Sequence, residues 1–134
     1  MVKMKILIVG LGLIGGSYCK AITSYTNHEV YGLNRNQKVI EDAVKCGCII
    51  RGADTSELDL FDMVIVCLHP QPTEQFMRDN MSKFKKGCIL TDVCGIKGQM
   101  TINMTKLAAE HGVNYVGTHP MLSLIHISEP TRPL

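Results

Sequence analysis

Val9–Gly16, the stretch VGLGLIGG, decides how the rest of the chain reads. Gly10, Gly12 and Gly15 stand in G-x-G-x-x-G spacing. Before them, Lys5–Val9 is an apolar, β-branched run of the kind that forms a buried strand. After them, Ile14, Tyr18, Ala21, Ile22 and Tyr25 follow helical spacing. Strand, glycine turn and helix in that order give the spacing a physical meaning. The first glycine allows a tight turn, the second lets backbone approach a pyrophosphate, and the third lets helix pack on strand. The helix N-terminus adds unpaired N–H groups and partial positive charge, which favour phosphate. The plain alternative is a glycine-rich turn that holds nothing.

Moving outward, HEVYGLNRN (residues 28–36) reads as a second strand. An acidic residue about 20 positions beyond the glycines is the usual hook for the adenine ribose of NAD. That position holds Asn34, 19 residues after Gly15, and Arg35 follows it. Losing a carboxylate removes repulsion toward a 2′-phosphate, and arginine can pair with that phosphate. The expected cofactor is therefore NADP or NAD, tilted toward NADP. The alternatives are that Asn34 still bonds a ribose and that Arg35 is only a solvated surface residue.

Asn36 is placed to cap the next helix, whose apolar face is Val39, Ile40, Ala43 and Val44, with Gly47 as its stop. CII (48–50) reads as a short third strand, and DMVIVCL (62–68) as a clear one. Pro70 and Pro72 predict a loop before a helix over 73–84. GCILTDV (87–93) is a further strand. Met100, Met104, Leu107 and Ala108 mark a helix ending near Gly112, and NYVGTH (114–119) is the last strand. This alternation predicts an α/β fold, a Rossmann-type doubly wound parallel sheet with helices on both faces. In such sheets ligands bind outside the carboxyl ends of the strands. Gly10, Asn34, LHPQP, DVCGIKG and His119 all fall on that rim. The expected cofactor-binding residues are Gly10, Gly12, Leu13, Ile14, Gly15, Asn34, Arg35, Leu68, Asp92 and Gly95.

His119 precedes Pro120, which holds it extended. A histidine there suits general-base work near neutral pH, or it merely caps the strand by hydrogen bonding. His69 reads as a packing or backbone-bonding residue and Cys94 as structural. Lys97 offers charge to an anionic substrate or is simply solvated.

The totals narrow the classes. Hydrophobic residues are 46% and charged residues 19% of 134, with a formal charge of +2. That is an ordinary globular composition with no basic run, so no nucleic-acid partner is expected. Six cysteines form no CxxC pair and no zinc spacing, which fits a reducing, cytoplasmic setting and no metal site. The basic, apolar start mimics a signal peptide, but its glycines fit strand, turn and helix better. It is too short to span a bilayer, so no membrane partner is expected.

VGLGLIGGS, TDVCGIKG and YVGTHPM together resemble the N-terminal domain of the prephenate/arogenate dehydrogenase family, over residues 3 to 121. The resemblance implies oxidative decarboxylation of prephenate to 4-hydroxyphenylpyruvate, or of arogenate to tyrosine, in tyrosine biosynthesis. It implies that His119 takes the proton from the ring hydroxyl as hydride leaves for the nicotinamide. It also implies a helical domain that completes the substrate site and makes a homodimer. Many members carry serine where Gly95 stands, so that hydroxyl's role passes to water or backbone. A β-hydroxyacid or imine reductase shares the opening glycines but explains THPM and DVCGIKG less well. A regulatory nucleotide-binding module would lack a base on the rim, and His119 argues against it.

The family continues HPM with a small residue and glycine, whereas this chain runs LSLIHISEPTRPL (122–134). Residues 122–132 resemble the translation of a transposon-type sequencing adapter, the alternative being a natural flexible terminus. The expectation is a nucleotide-binding domain over 1–121 and an adapter-derived tail over 122–134. His126 then has no role, the helical dimerisation domain is missing, and the fragment is inactive alone.

Overall fold

The computed structural model describes residues 3–93 and 98–116. Five strands, β1 (Lys5–Val9), β2 (Glu29–Leu33), β3 (Met63–Val66), β4 (Ile89–Asp92) and β5 (Asn114–Val116), form one sheet in the order β2-β1-β3-β4-β5. Every pairing is parallel, with Val9 opposite Leu33 on one side and Val66 on the other. Four helices fill the crossovers: α1 (Leu13–Tyr25), α2 (Gln37–Lys45), α3 (Pro70–Asn80) and α4 (Gln99–Glu110). This is the doubly wound sheet that the alternation predicts.

The strand residues divide between two cores. Leu7, Val9, Val64, Val66 and Leu90 pack with Met77 of α3 and Met104 and Ala108 of α4. Ile6, Ile8, Met63 and Ile65 pack with Cys19 and Ile22 of α1 and Ile40 of α2. Burial on both faces explains why β1 and β3 are unbroken apolar runs rather than alternating ones. The inward face of α1 is Gly15, Cys19 and Ile22, while Ile14 and Tyr25 point to solvent, so the predicted apolar stripe is rotated. Asn36 caps α2 as its sequence predicts, its side chain accepting from Lys38 N at 2.9 Å.

Two expectations change. CII is not a strand, because the end of α2 claims its backbone: Cys48 N and Ile49 N both donate to Ala43 O. Its last residue and the chain beyond do touch the sheet edge, through Ile50 N to Val30 O and a bridge between Gly32 and Gly52. The loop expected at Pro70 and Pro72 is instead the first turn of α3. Proline lacks only an N–H that a first turn leaves unpaired, so both positions suit it. A short 3-10 turn, Met81–Lys83, ends this segment.

At the opposite end of the sheet from the strands' carboxyl ends, Asp62 accepts from Lys5 N at 2.9 Å and from Lys85 Nζ. Burial pushes its carboxyl up, but Lys85 and the Lys5 N–H outweigh this and hold it below the usual value. A lowered folded-state value means this stabilisation is full above about pH 4 and fades as pH falls through the folded value. Asp62→Asn is therefore expected to cost about 1 kcal/mol at pH 7, discounted for partial exposure. The cost should shrink toward pH 2 in urea unfolding; an unchanged difference across that range would show the carboxylate to be idle.

Among the described residues, no helix is long and apolar enough to cross a membrane.

Candidate functional site

A topological switch point lies between β1 and β3, where successive connections leave in opposite directions. The carboxyl ends of β1, β2 and β3 open there into a cleft of about 890 Å³. One wall is the glycine turn and the start of α1, and the other is α3.

Each glycine of the turn has a distinct geometry. Gly10 has φ of +90°, and a Cβ there would lie 2.7 Å from Cys67 O. A Cβ on Gly15 would lie 1.9 Å from Gly10 O, so helix and turn touch through bare backbone. Gly12 is different: a Cβ would meet nothing within 4 Å, because this position faces the open cleft. Gly12 is also the N-cap of α1, with no side-chain cap and no acidic residue in the first turn. The helix end therefore keeps its donors and positive potential directed into the cleft. Leu13 and Ile14, 90% and 57% exposed, stand at its mouth.

Asn34 lines the cleft, but its side chain is already engaged. Its Oδ1 accepts from Leu11 N at 2.9 Å, and its Nδ2 donates to Asn36 O at 3.4 Å. With Gly10 N donating to Leu33 O at 2.8 Å, the end of β2 holds the glycine turn in place. Arg35 lies exposed on the rim of the same cleft, and Leu68 lines it half-buried.

Asp92 is placed elsewhere. It is 1% exposed at the end of β4, accepts from the Tyr115 hydroxyl, and is not part of the cleft wall. Its neighbour Thr91 buries a hydroxyl with no hydrogen-bond partner among the described residues, for which the structure offers no physical account. His69 is the exposed N-cap of α3, its carbonyl accepting from Thr73 N at 2.9 Å; its side chain makes no cap bond, and the residue lines the cleft rather than packing in the core. Cys94, Gly95, Lys97, His119 and the tail from Leu122 lie outside the described residues.

The cleft thus brings together Gly10, Gly12, Leu13, Ile14, Gly15, Asn34, Arg35 and Leu68. Sequence reading missed its second wall, where α3 contributes Gln75, Phe76 and Asp79. The available signal was helical spacing: Thr73, Met77 and Asn80 face inward, which leaves these three beside or opposite them.

The wall fits a dinucleotide: the glycine turn leaves open space where a phosphate needs it, and no carboxylate stands in the first turn of α1. A nicotinamide dinucleotide, when bound, supplies the hydride acceptor. Among the described residues no group of three or more His, Cys, Asp or Glu side chains gathers as a metal site would.

Residues 19–124 match the family of prephenate dehydrogenase nucleotide-binding domains. That span starts inside α1, so the glycine turn stands as a separate observation. A prephenate dehydrogenase from Lactococcus lactis subsp. cremoris (strain MG1363) is 29% identical over 125 residues, covering 87% of this chain and 34% of that protein. The prephenate dehydrogenase of Aquifex aeolicus, solved with hydroxyphenyl propionate and NAD+, superposes with a TM-score of 0.76. It is 22% identical, over 87% of this chain and 41% of its own. The Synechocystis arogenate dehydrogenase gives a TM-score of 0.71 at 28% identity, over 78% of this chain and 37% of its own. The chain spans about a third of the length of the curated relative it matches.

Proposed function

Because the chain belongs to the prephenate dehydrogenase nucleotide-binding domain family, we propose that its cleft holds the nicotinamide dinucleotide of an enzyme that oxidatively decarboxylates prephenate or arogenate. The observation that carries this reading is Gly12: an uncapped helix end meets open space at the one glycine that a pyrophosphate must approach. Gly10, Gly12 and Gly15 shape the phosphate site, and Leu13 and Ile14 offer the first amides of α1. Leu68 flanks the dinucleotide. Gly95 belongs to the nicotinamide end, and His119 is the general base for the ring hydroxyl. Asp92 acts indirectly, its burial beside Tyr115 supporting the end of β4.

The engagement of Asn34 sharpens the cofactor reading. Its carbonyl is committed to Leu11 N, so it is a poor acceptor for the two ribose hydroxyls that a carboxylate would bind. Arg35 remains on the rim with charge to offer a 2′-phosphate. NADP is therefore the favoured partner, with NAD second. Turnover of prephenate or arogenate, dimerisation and a place in tyrosine biosynthesis are proposed for the whole protein, a chain of the relatives' length. Residues 1–121 are proposed as the nucleotide domain, inactive alone, and 122–134 as an adapter-derived tail.

The test is calorimetric titration of the 134-residue chain with each nucleotide. Both are expected to bind, NADP at least as tightly as NAD. NAD binding tenfold tighter, a difference of about 1.4 kcal/mol, would overturn the role of Arg35. Binding of neither would overturn the site.

A further inference from the structure

Away from the cleft, the end of α2 holds two thiols in contact. The Sγ atoms of Cys46 and Cys48 lie 2.6 Å apart. A disulfide joins sulfurs about 2.05 Å apart, so the two thiols already stand within reach of each other. The contact is built by the backbone. Cys46 is the C-cap of α2, Gly47 N donates to Val44 O, and Cys48 N donates to Ala43 O. That double bond pattern is a left-handed helix stop, and Gly47 takes the required φ of +79°. With Gly47 turned this way, both cysteine side chains come to the same side of the chain end.

The two sulfurs are inequivalent. Cys46 is exposed, whereas Cys48 is 8% exposed and packs in the core with Cys19 and Ile22. The hydrogen bond between the two thiols, with Lys20 nearby, holds the Cys46 thiol below its ordinary value. The same hydrogen bond, with burial, pushes Cys48 up.

We propose that Cys46 and Cys48 form a reversible thiol–disulfide site that reacts with small disulfides. The Cys46 thiolate attacks one sulfur of a low-molecular-weight disulfide and expels the other half as a thiolate, which takes up a proton. Cys48 then gives its proton to solvent, and its sulfur attacks Cys46 Sγ, releasing the second half as a thiol. Two electrons and two protons pass from the pair to the small disulfide, and one intramolecular S–S bond replaces one intermolecular one. The site is independent of the nucleotide reading.

Trypsin cuts after Lys45 and Arg51, so residues 46–51 form one peptide, CGCIIR, carrying only these two cysteines. Incubating the 134-residue chain with oxidised glutathione should lower the mass of that peptide by two hydrogens, and dithiothreitol should restore it. The reaction should run at least about tenfold faster than labelling of Cys19 or Cys88, whose thiols burial pushes up to about 12. Cys48→Ser should retain one glutathione on Cys46, and Cys46→Ser should leave the peptide unmodified. The wild-type measurement stands even where Cys48→Ser disturbs the core. A wild-type peptide that stays reduced while other cysteines react, or that keeps glutathione on Cys46 without closing, overturns the proposal.

Discussion

His119→Asn, made in the protein extended to the length of its relatives, is expected to lower turnover by about 10²–10⁴-fold with little change in nucleotide affinity. Asparagine keeps a comparable size and a hydrogen-bonding tip but has no basic nitrogen. In the proposed reaction the ring hydroxyl of the substrate loses its proton as hydride departs, so the loss should fall on kcat rather than on binding. The acid limb of the pH profile should also flatten. A base works only while neutral, so the parent should lose rate as acid protonates it. A variant with near-normal turnover would make His119 a strand cap that bonds backbone and nothing more.

Two alanine substitutions in the glycine turn should separate folding from binding. Gly15→Ala puts a methyl 1.9 Å from Gly10 O, a backbone atom. Gly10 has no room to retreat toward β3, since it already lies against Cys67 O and Leu68. Overpacking of this kind costs about 1–3 kcal/mol or more, and for this size roughly 4–12 °C in melting temperature. Gly12→Ala meets nothing within 4 Å and adopts an ordinary extended backbone. It should melt like the parent yet bind nucleotide at least about tenfold more weakly, because its methyl occupies the approach of the pyrophosphate. Undiminished binding by Gly12→Ala would mean that the cleft holds something other than a dinucleotide. An unshifted melting temperature for Gly15→Ala would mean that α1 and the turn do not meet as described.

Most of the fold was legible along the chain. Residues 6–9 and Met63–Val66 are apolar without interruption because both of their faces are covered, and that pattern is local. Gly10, Gly12 and Gly15 are equally legible, because each task needs the absence of a side chain at a fixed spacing. The cap at Asn36 and the stop at Gly47 are read within one helical turn. His119 and Gly95, expected on the rim at strand ends, lie outside the described residues.

Other features depend on which distant groups meet, and a linear pattern carries no signal for that. Asn34 reads as a ribose contact in sequence, yet its carbonyl is taken by Leu11 N, 23 positions away, once β1 and β2 pair. Asp92 does end β4 on the rim, but it stands outside the cleft wall and is met by Tyr115, which it reaches only because β5 lies beside β4. CII has strand composition, but the α2 stop claims its first two amides, since that closure is local, and only Ile50 N is left for the sheet edge. Local spacing alone determined the glycine turn, the buried strands and the caps. Tertiary structure decided what each polar side chain was left free to bind, because a hydrogen-bonding group engaged by a distant partner has less left for a ligand.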